Sequence, residues 1–461
     1  MNGRGRIGVR LTGSHARAAL ITDAKIRQAE CRADDNRELS RILRDLARGT
    51  SVQSITWDVS AELDPARFGT PVGTLRITPR LPAHDLGSGH PSPLLRPLVR
   101  WQAAVTGGHD LFGVQLSPMD TEEVLRSAAS ACEEGMSTLA VTATGAPGSP
   151  DHELAAAELI RTVHPQVRIS LSHQVGGLGM VDRGAATVIN AALLSTAERI
   201  VERCAALVSQ FGPHTSVWFM AGDGGRISAE RLRMLPVLGL SATSAAALIG
   251  AAALAGVDDA LVGLAGPDGF AVGHVRDGLP RVTTDLPGPG GVRMAVPQAS
   301  LTPITGSPTD SASAFALLAE HDQYPGVIAV ASAAPDGSSP HGDDRDRHDR
   351  YKAALERARA AAGQLPSLSV LVEPPADLAA VGAASTEPSA WLDTVLYAET
   401  PEELARKRAV VEQRALTLVA ESGARLGSEH VIDSRALSLS FLPSGAYRLT
   451  VRAGGRVEVN T

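Results

Sequence analysis

Residues 6–21 read RIGVRLTGSHARAALI. An apolar run over 6–11, a turn at 12–15 built around Gly13 and a second apolar run over 16–21 give a strand, a glycine turn and a returning strand. Residues 260–276, ALVGLAGPDGFAVGHVR, repeat the unit, with strands at 260–264 and 270–276 and a turn at 265–269. Between the two units the pattern alternates. Helices are predicted over 121–134, 151–164 and 186–211, and strands over 137–142, 167–172 and 217–221. Two such units, divided by helix–strand alternation, predict an α/β protein with sheets under helical cover.

Further out, NRELSRILRDLA at 36–47 sets Leu39, Ile42, Leu43 and Leu46 on one helical face. Short strands are predicted at 55–59 and 72–77, and a proline-rich loop at 79–97. The alanine-rich stretch 244–255 reads as a buried core helix. APDGSSPHGDDRDRHDR, at 334–350, reads as a solvated surface loop rather than a metal tract. Helices over 350–363 and 401–422 follow, and then a hairpin, 438–441 with 447–451, turning at 443–445.

The chain has 461 residues, 44% of them hydrophobic, and a net charge of −7. It can build packed cores, which excludes a wholly disordered chain. Its acidity argues against nucleic acid as a partner, since phosphate binding needs a basic face. The longest apolar stretch, 244–257, is well short of the roughly 20 residues a membrane helix requires, and the N-terminus lacks the apolar core of a signal peptide. Cys31, Cys132 and Cys204 stand far apart, without a C-x-x-C pair. A cytoplasmic protein without membrane contact is expected.

Several stretches carry a family resemblance. RIGVRLTGSHARAALI resembles the first phosphate motif of the hydantoinase/oxoprolinase family, R-I-G-I-D-V-G-G-T-x-T-D-A. TGGHDLFG at 106–113 resembles its G-G-H-E-x-x-G, SPDHELAAAELI at 149–160 its N-P-x-H-E, and SLSHQVGGLGMVDRGAATVINAALL at 170–194 its S-H-E segment. FMAGDGGRISAERLRMLPVLGLSATSAAALIGAAALAGVDDALV at 219–262 follows the family through its D-G-T, P-V and S-G-P-x-x-S-x-x-G-A-A segments, and the stretch 421–455 resembles its closing segment. The resemblance implies an actin-like (ribonuclease H-like) fold of two α/β lobes around a cleft, with an inserted α/β segment. It divides the chain into an N-terminal-like region, 1–180, and a hydantoinase A-like region, 181–461. It also implies ATP and Mg²⁺ as cofactors, a cyclic amide such as a hydantoin or 5-oxoproline as the small-molecule ligand, and a companion hydantoinase B-type subunit within an oligomer. Gly13, Ser14, Gly224 and Gly266 are the cofactor-binding positions it assigns.

The phosphate motifs depart from that pattern. Arg10 and Arg17 stand where the first motif has Asp, and Thr12 where it has Gly. The second motif, V-D-x-G-G-T-T-T-D, aligns with VGLAGPDGF at 262–270, setting Gly263 and Phe270 at its two Asp positions, with Asp268 displaced. Residues 58–61 replace G-T-T-H, and Glu373-Pro374-Pro375 replaces the glycine-rich adenosine loop. Arginine cannot ligate a metal. Impaired ATP hydrolysis is therefore expected, with a catalytically inactive partner or scaffold subunit as the alternative.

A second constellation stays closer to the family. His109, His152 and His173 are candidate ligands for a divalent metal, and Asp110, His152, Glu153 and Asp223 are candidate catalytic groups. An ATP-independent metal hydrolase would use this set. Helix capping at Asp151 and His152, a strand exit at His173 and a plain turn at 223–225 are the structural alternatives.

Overall fold

The structure is a computed structural model and describes residues 3–22, 25–81, 92–266, 269–284, 288–304, 310, 313–315, 317–318, 325–330, 344–363, 369–372, 377–440, 442 and 444–457. The first lobe is a six-stranded sheet built from β1 (Gly3–Leu11), β2 (His15–Ile21), β3 (Ile26–Arg32), β4 (Thr50–Asp58), β9 (Ser216–Met220) and β10 (Arg226–Ile227). Its order is β10-β9-β4-β1-β2-β3. The strands β1, β2 and β3 form an antiparallel meander, and β4 and β9 run parallel to β1. Alternation on β1 sorts the faces: Ile7, Val9 and Leu11 are buried in the lobe's core. The helices α1 (Asn36–Leu46), α2 (Pro65–Phe68) and α7 (Ala229–Met234) border this lobe.

An insert separates β4 from β9. Its parallel strands β5 (Val72–Thr78), β6 (Val99–Thr106), β7 (Thr138–Ala143) and β8 (Arg168–Leu171) lie in the order β6-β5-β7-β8. Val124 and Ala128 of α3 (Thr121–Glu133) and Ala157 and Ile160 of α4 (Asp151–Val163) pack in the core of this sheet. A short helix, α5 (Ser172–Val175), leads to α6 (Met180–Val208), whose buried residues extend the core of the first lobe.

The second lobe begins with α8 (Ala242–Ala255) and a sheet ordered β13-β12-β11-β17-β18, in which β16 (Thr302–Ile304) also pairs with β12. Its strands are β11 (Ala260–Ala265), β12 (Phe270–Arg276), β13 (Leu279–Pro280), β17 (Gly326–Val330) and β18 (Ser369–Val372). A two-stranded ribbon, β14 (Val282–Thr283) with β15 (Gln298–Ala299), lies beside it. The two lobes share one plan. A hairpin, β1–β2 or β11–β12, is extended on the side of its first strand by two parallel strands, β4 and β9 or β17 and β18. Between the sheets α8 crosses α10 (Leu378–Ser385). A side chain at Gly250 or Gly382 would overlap the backbone of Leu378 or Ala246, and one at Gly8 would overlap Ala380. Glycine is what lets these backbones touch.

A closing antiparallel sheet, β19-β21-β20, is built from β19 (Ser389–Tyr397), β20 (His430–Ser438) and β21 (Ala446–Gly454). Ala415 and Val419 of α11 (Pro401–Glu421) pack against Leu449 and Val451 of β21. One element corrects the sequence reading: α9 (Asp344–Gly363) starts within the stretch read as loop, while 334–343 lie outside the described residues. The sequence of its start, DRDRH, carries no apolar period to announce a helix. The hairpin's first strand is displaced: β20 lies upstream of the expected 438–441 and meets it only at Ser438, while β21 reaches beyond 447–451 at both ends. Among the described residues, no helix is long and apolar enough to cross a membrane.

Candidate functional site

The tip of the first hairpin is closed by Thr12, whose backbone N–H and hydroxyl both donate to the His15 carbonyl, at 2.8 and 2.9 Å. Gly13 takes a left-handed φ of 80°, and Ser14 bonds the neighbouring His15 ring at 2.9 Å. Below the tip, Arg10 and Arg17 are cross-strand partners. Both reach the same oxygen, Oδ2 of Asp377, at 2.9 and 3.2 Å, and Arg17 also meets Glu30 at 3.3 Å. The other oxygen of Asp377 caps α10, accepting the N–H groups of Ala379 and Ala380 at 3.1 and 3.0 Å. A helix start that could face an anion is thus closed by the chain's own carboxylate.

A second acid lies beside this clamp. Asp58 ends β4 directly opposite Arg10 and is fully buried. It accepts from the Ser60 backbone at 3.1 Å, the Ser60 hydroxyl at 2.8 Å and the Thr243 hydroxyl at 2.7 Å. Burial nevertheless raises its pKa, against these hydrogen bonds and the charge of Arg10. Asp58 and Asp377 bring acidity to the hairpin from outside the motif, but their oxygens are already engaged. Among the described residues no three His, Cys, Asp or Glu side chains converge to hold a metal. The residues present do not fit Mg-ATP at this hairpin.

The second hairpin corrects the alignment of its motif. Its four-residue tip, 266–269, is closed by Gly266 N–H on Gly269 O at 2.9 Å, and Ala265 pairs with Phe270 as Leu11 pairs with Ala16. The counterparts of Arg10 and Arg17 are therefore Leu264 and Ala271, one residue on from the expected Gly263 and Phe270. The physical reason is facing. A side chain at Gly263 would strike the Phe270 ring, which packs 5.7 Å from Phe315 in a core with Ile328 and Ala354. Leu264 packs instead in the core that contains Leu248 of α8. Neither register supplies a carboxylate. Asp268 and Glu373-Pro374-Pro375 lie outside the described residues.

Asp223 and Gly224 form a tight turn after β9, with Gly224 at φ 87°. Asp223 accepts the Gly225 N–H at 2.9 Å and pairs with Arg452 Nη1 at 2.9 Å, while Arg452 Nη2 donates to its carbonyl at 2.8 Å. Both side chains are buried. This pair joins the first lobe to the closing sheet.

The other candidates collect at the carboxyl ends of the insert's parallel strands, where α/β sheets place ligand crevices. His109 follows β6, His152 and Glu153 start α4 after β7, and Ser172 and His173 follow β8. Glu153 is fully buried and accepts four hydrogen bonds: Ala143 N–H at 2.7 Å, Ser172 Oγ at 2.5 Å, His173 N–H at 2.9 Å and His173 Nδ1 at 2.7 Å. Buried Arg183 donates to Ser172 Oγ at 2.9 Å and to the Ala143 carbonyl at 2.7 Å, tying α6 to the cluster. His152 Nδ1 accepts the Gly108 N–H at 2.8 Å, so its other nitrogen carries the proton of the neutral ring. Burial, then the neighbouring His109, lowers its pKa. The two rings lie 4.3 Å apart, and His109 Nδ1 is buried without a hydrogen-bond partner among the described residues. Asp110 folds its own loop, accepting the N–H groups of Phe112 and Val114 at 2.8 and 2.9 Å.

The structure therefore brings His109 to His152, and His173 to Glu153, without joining the three histidines into a metal-holding group among the described residues. Arg183, Asp58, Asp377 and Arg452 escaped the sequence reading. Arg183, Asp58 and Arg452 lie in quoted stretches, at 170–194, 58–61 and 421–455, but nothing local marks their long-range partners or those of Asp377.

Comparison with known proteins places these features. Residues 92–164 match the hydantoinase/oxoprolinase N-terminal region and residues 183–305 the hydantoinase/oxoprolinase model. No curated protein matches the sequence. The ATP-dependent caprolactamase from Pseudomonas jessenii is similar at a TM-score of 0.70 and 13% identity, over 98% of this chain and 88% of that one. The nucleotide-free acetone carboxylase, from a study of ATP-dependent acetone carboxylation, is similar at a TM-score of 0.66 and 12% identity, over 99% and 88%. At these identities the likeness shows the fold, which is the two-lobed actin-like one. Both regional models of the hydantoinase/oxoprolinase family thus match in chain order, over residues 92–164 and 183–305.

Proposed function

We propose that this chain is a hydantoinase A-type subunit for cyclic amides of the hydantoin or 5-oxoproline kind, and that its own ATP hydrolysis is impaired. One observation carries the reading: Arg10 and Arg17, at the two Asp positions of the first phosphate motif, jointly hold the carboxylate that caps α10. Phosphoryl transfer needs donors and metal-holding carboxylates placed around developing negative charge. Here two cations are already neutralised and the nearby acids are engaged. Each missing contact of that kind costs about 10²–10³ in rate. The caprolactamase likeness supports an amide substrate class at the level of fold analogy alone.

A companion B-type subunit completes this reading. Val114 and Leu116, on the loop after His109, and Val181, at the start of α6, are exposed apolar side chains that a partner would cover. The test is ATP turnover with hydantoin or 5-oxoproline, for the chain alone and with a co-expressed companion. No amide-stimulated ATPase is expected from the chain alone. Turnover on the order of 1 s⁻¹, an ordinary enzymatic rate, would overturn the reading.

A further inference from the structure

The closing sheet has two unlike faces. Leu392, Leu449, Val451 and Ala436 belong to the core under α11. The alternate positions share the opposite face, and strand register sets them in rows: Trp391–Arg452–Asp433, Asp393–Thr450–Arg435 and Val395–Arg448–Leu437. This face looks across a cavity of about 370 Å³ toward the β12–β13 edge and the segment after it. That volume lies within the range of small-molecule sites.

Among the described residues the charge in this chamber does not balance. Arg448 is held by both oxygens of Asp393 at 2.9 and 2.7 Å, Arg435 by Asp433 at 2.9 Å and Arg452 by Asp223 at 2.9 Å. Three arginines thus have three aspartates. The facing wall adds Arg276 and Arg281, which make no ion pair among the described residues. The sheet face adds the Thr450 hydroxyl, and on the facing wall Thr284 accepts from Arg448 Nη2 at 3.1 Å. Leu279, Pro280, Ile432 and Leu437 give the lining its apolar part.

We propose that this chamber, outside both hairpin tips and the histidine cluster, binds a small organic anion: an anionic oxygen head group on an apolar body. Arg281 and Arg276 supply the uncompensated charge, and the Thr450 hydroxyl on the sheet face is a donor for the head group. Because Arg452 also holds Asp223, ligand bound there touches the residue that links the closing sheet to the first lobe.

The full-length chain is titrated calorimetrically with benzoate, phenyl phosphate and the neutral benzamide. At least one of the two anions is expected to saturate at or below about 1 mM, with benzamide at least tenfold weaker. Whichever anion binds tighter names the head group, carboxylate or phosphate. Arg281→Glu is expected to weaken that anion at least tenfold, with Arg281→Gln intermediate, and both variants keep the wild-type thermal midpoint because Arg281 is exposed. Neither anion binding below about 10 mM overturns the proposal, as does benzamide binding equally well or affinity unchanged in Arg281→Glu.

Discussion

Arg10 and Arg17 mark how far single residues could be read without a structure. That they stand in place of aspartates is visible in RIGVRLTGSHAR, but their shared partner, Asp377, lies 367 and 360 residues away. No local pattern announces such a pairing. Asp377 carries more than either arginine, since it both caps α10 and neutralises two cations. Asp377→Ala is therefore expected to lower stability by about 2–4 kcal/mol in urea unfolding, and Arg10→Ala by about 1–2, the smaller value reflecting its partial exposure. Equal losses would show that the cap and second cation contribute nothing. His152 was legible as a candidate, but its role as an acceptor for the Gly108 N–H was not, because that depends on a backbone loop closing over it. Its lowered pKa has a definite sign. The unfolded ring takes up a proton near pH 6.5 while the folded ring stays neutral, so this contribution to stability is present above pH 6.5 and lost as pH falls below it. Wild type is expected to lose stability more steeply than His152→Gln between pH 7 and 5. Parallel profiles would exclude this linkage.

Among elements, those with a clean apolar period or a glycine stop were legible: β1, β2, α1, α3 and α8 lie within two or three residues of the sequence reading. The missed ones have physical excuses. IRQAECR of β3 is a charged edge strand, and VRWQAAVT of β6 lies at a sheet edge and is half-exposed over much of its length. The eight residues of α10 are too short to show a helical period and contain Gly382. That glycine is the element's most specific choice. Alanine favours an isolated helix by about 1 kcal/mol, yet here its methyl would enter the Ala246 backbone. Gly382→Ala is expected to destabilise the protein by a net 1–3 kcal/mol, roughly the cost of overpacking, measured as a shift in urea midpoint. A gain in stability would mean that α8 and α10 can separate freely. The one-residue slip in the second motif belongs to this scale as well. Tip length and facing are backbone properties, and a motif stripped of its acids and of one glycine no longer fixes them.

At the scale of the molecule, the duplicated hairpin and the inserted segment were readable because each lobe repeats the same strand order. The closing sheet's polar face and its chamber were not, since they arise only where sequence-distant strands meet. Long-range arginine bridges hold the parts in register. Arg6 reaches Glu387 at 2.8 Å, Arg456 reaches Asp258 at 2.9 Å, and the Arg10–Asp377–Arg17 clamp pins the first hairpin to the helix that crosses α8. In a nucleotide-using relative the equivalent ground must stay open to phosphate; here it is filled by protein charge. Calorimetric titration of the full-length chain with Mg-ATP tests this directly. No saturation is expected below about 1 mM, whereas a micromolar dissociation constant would contradict the closed cradle on which the functional reading stands.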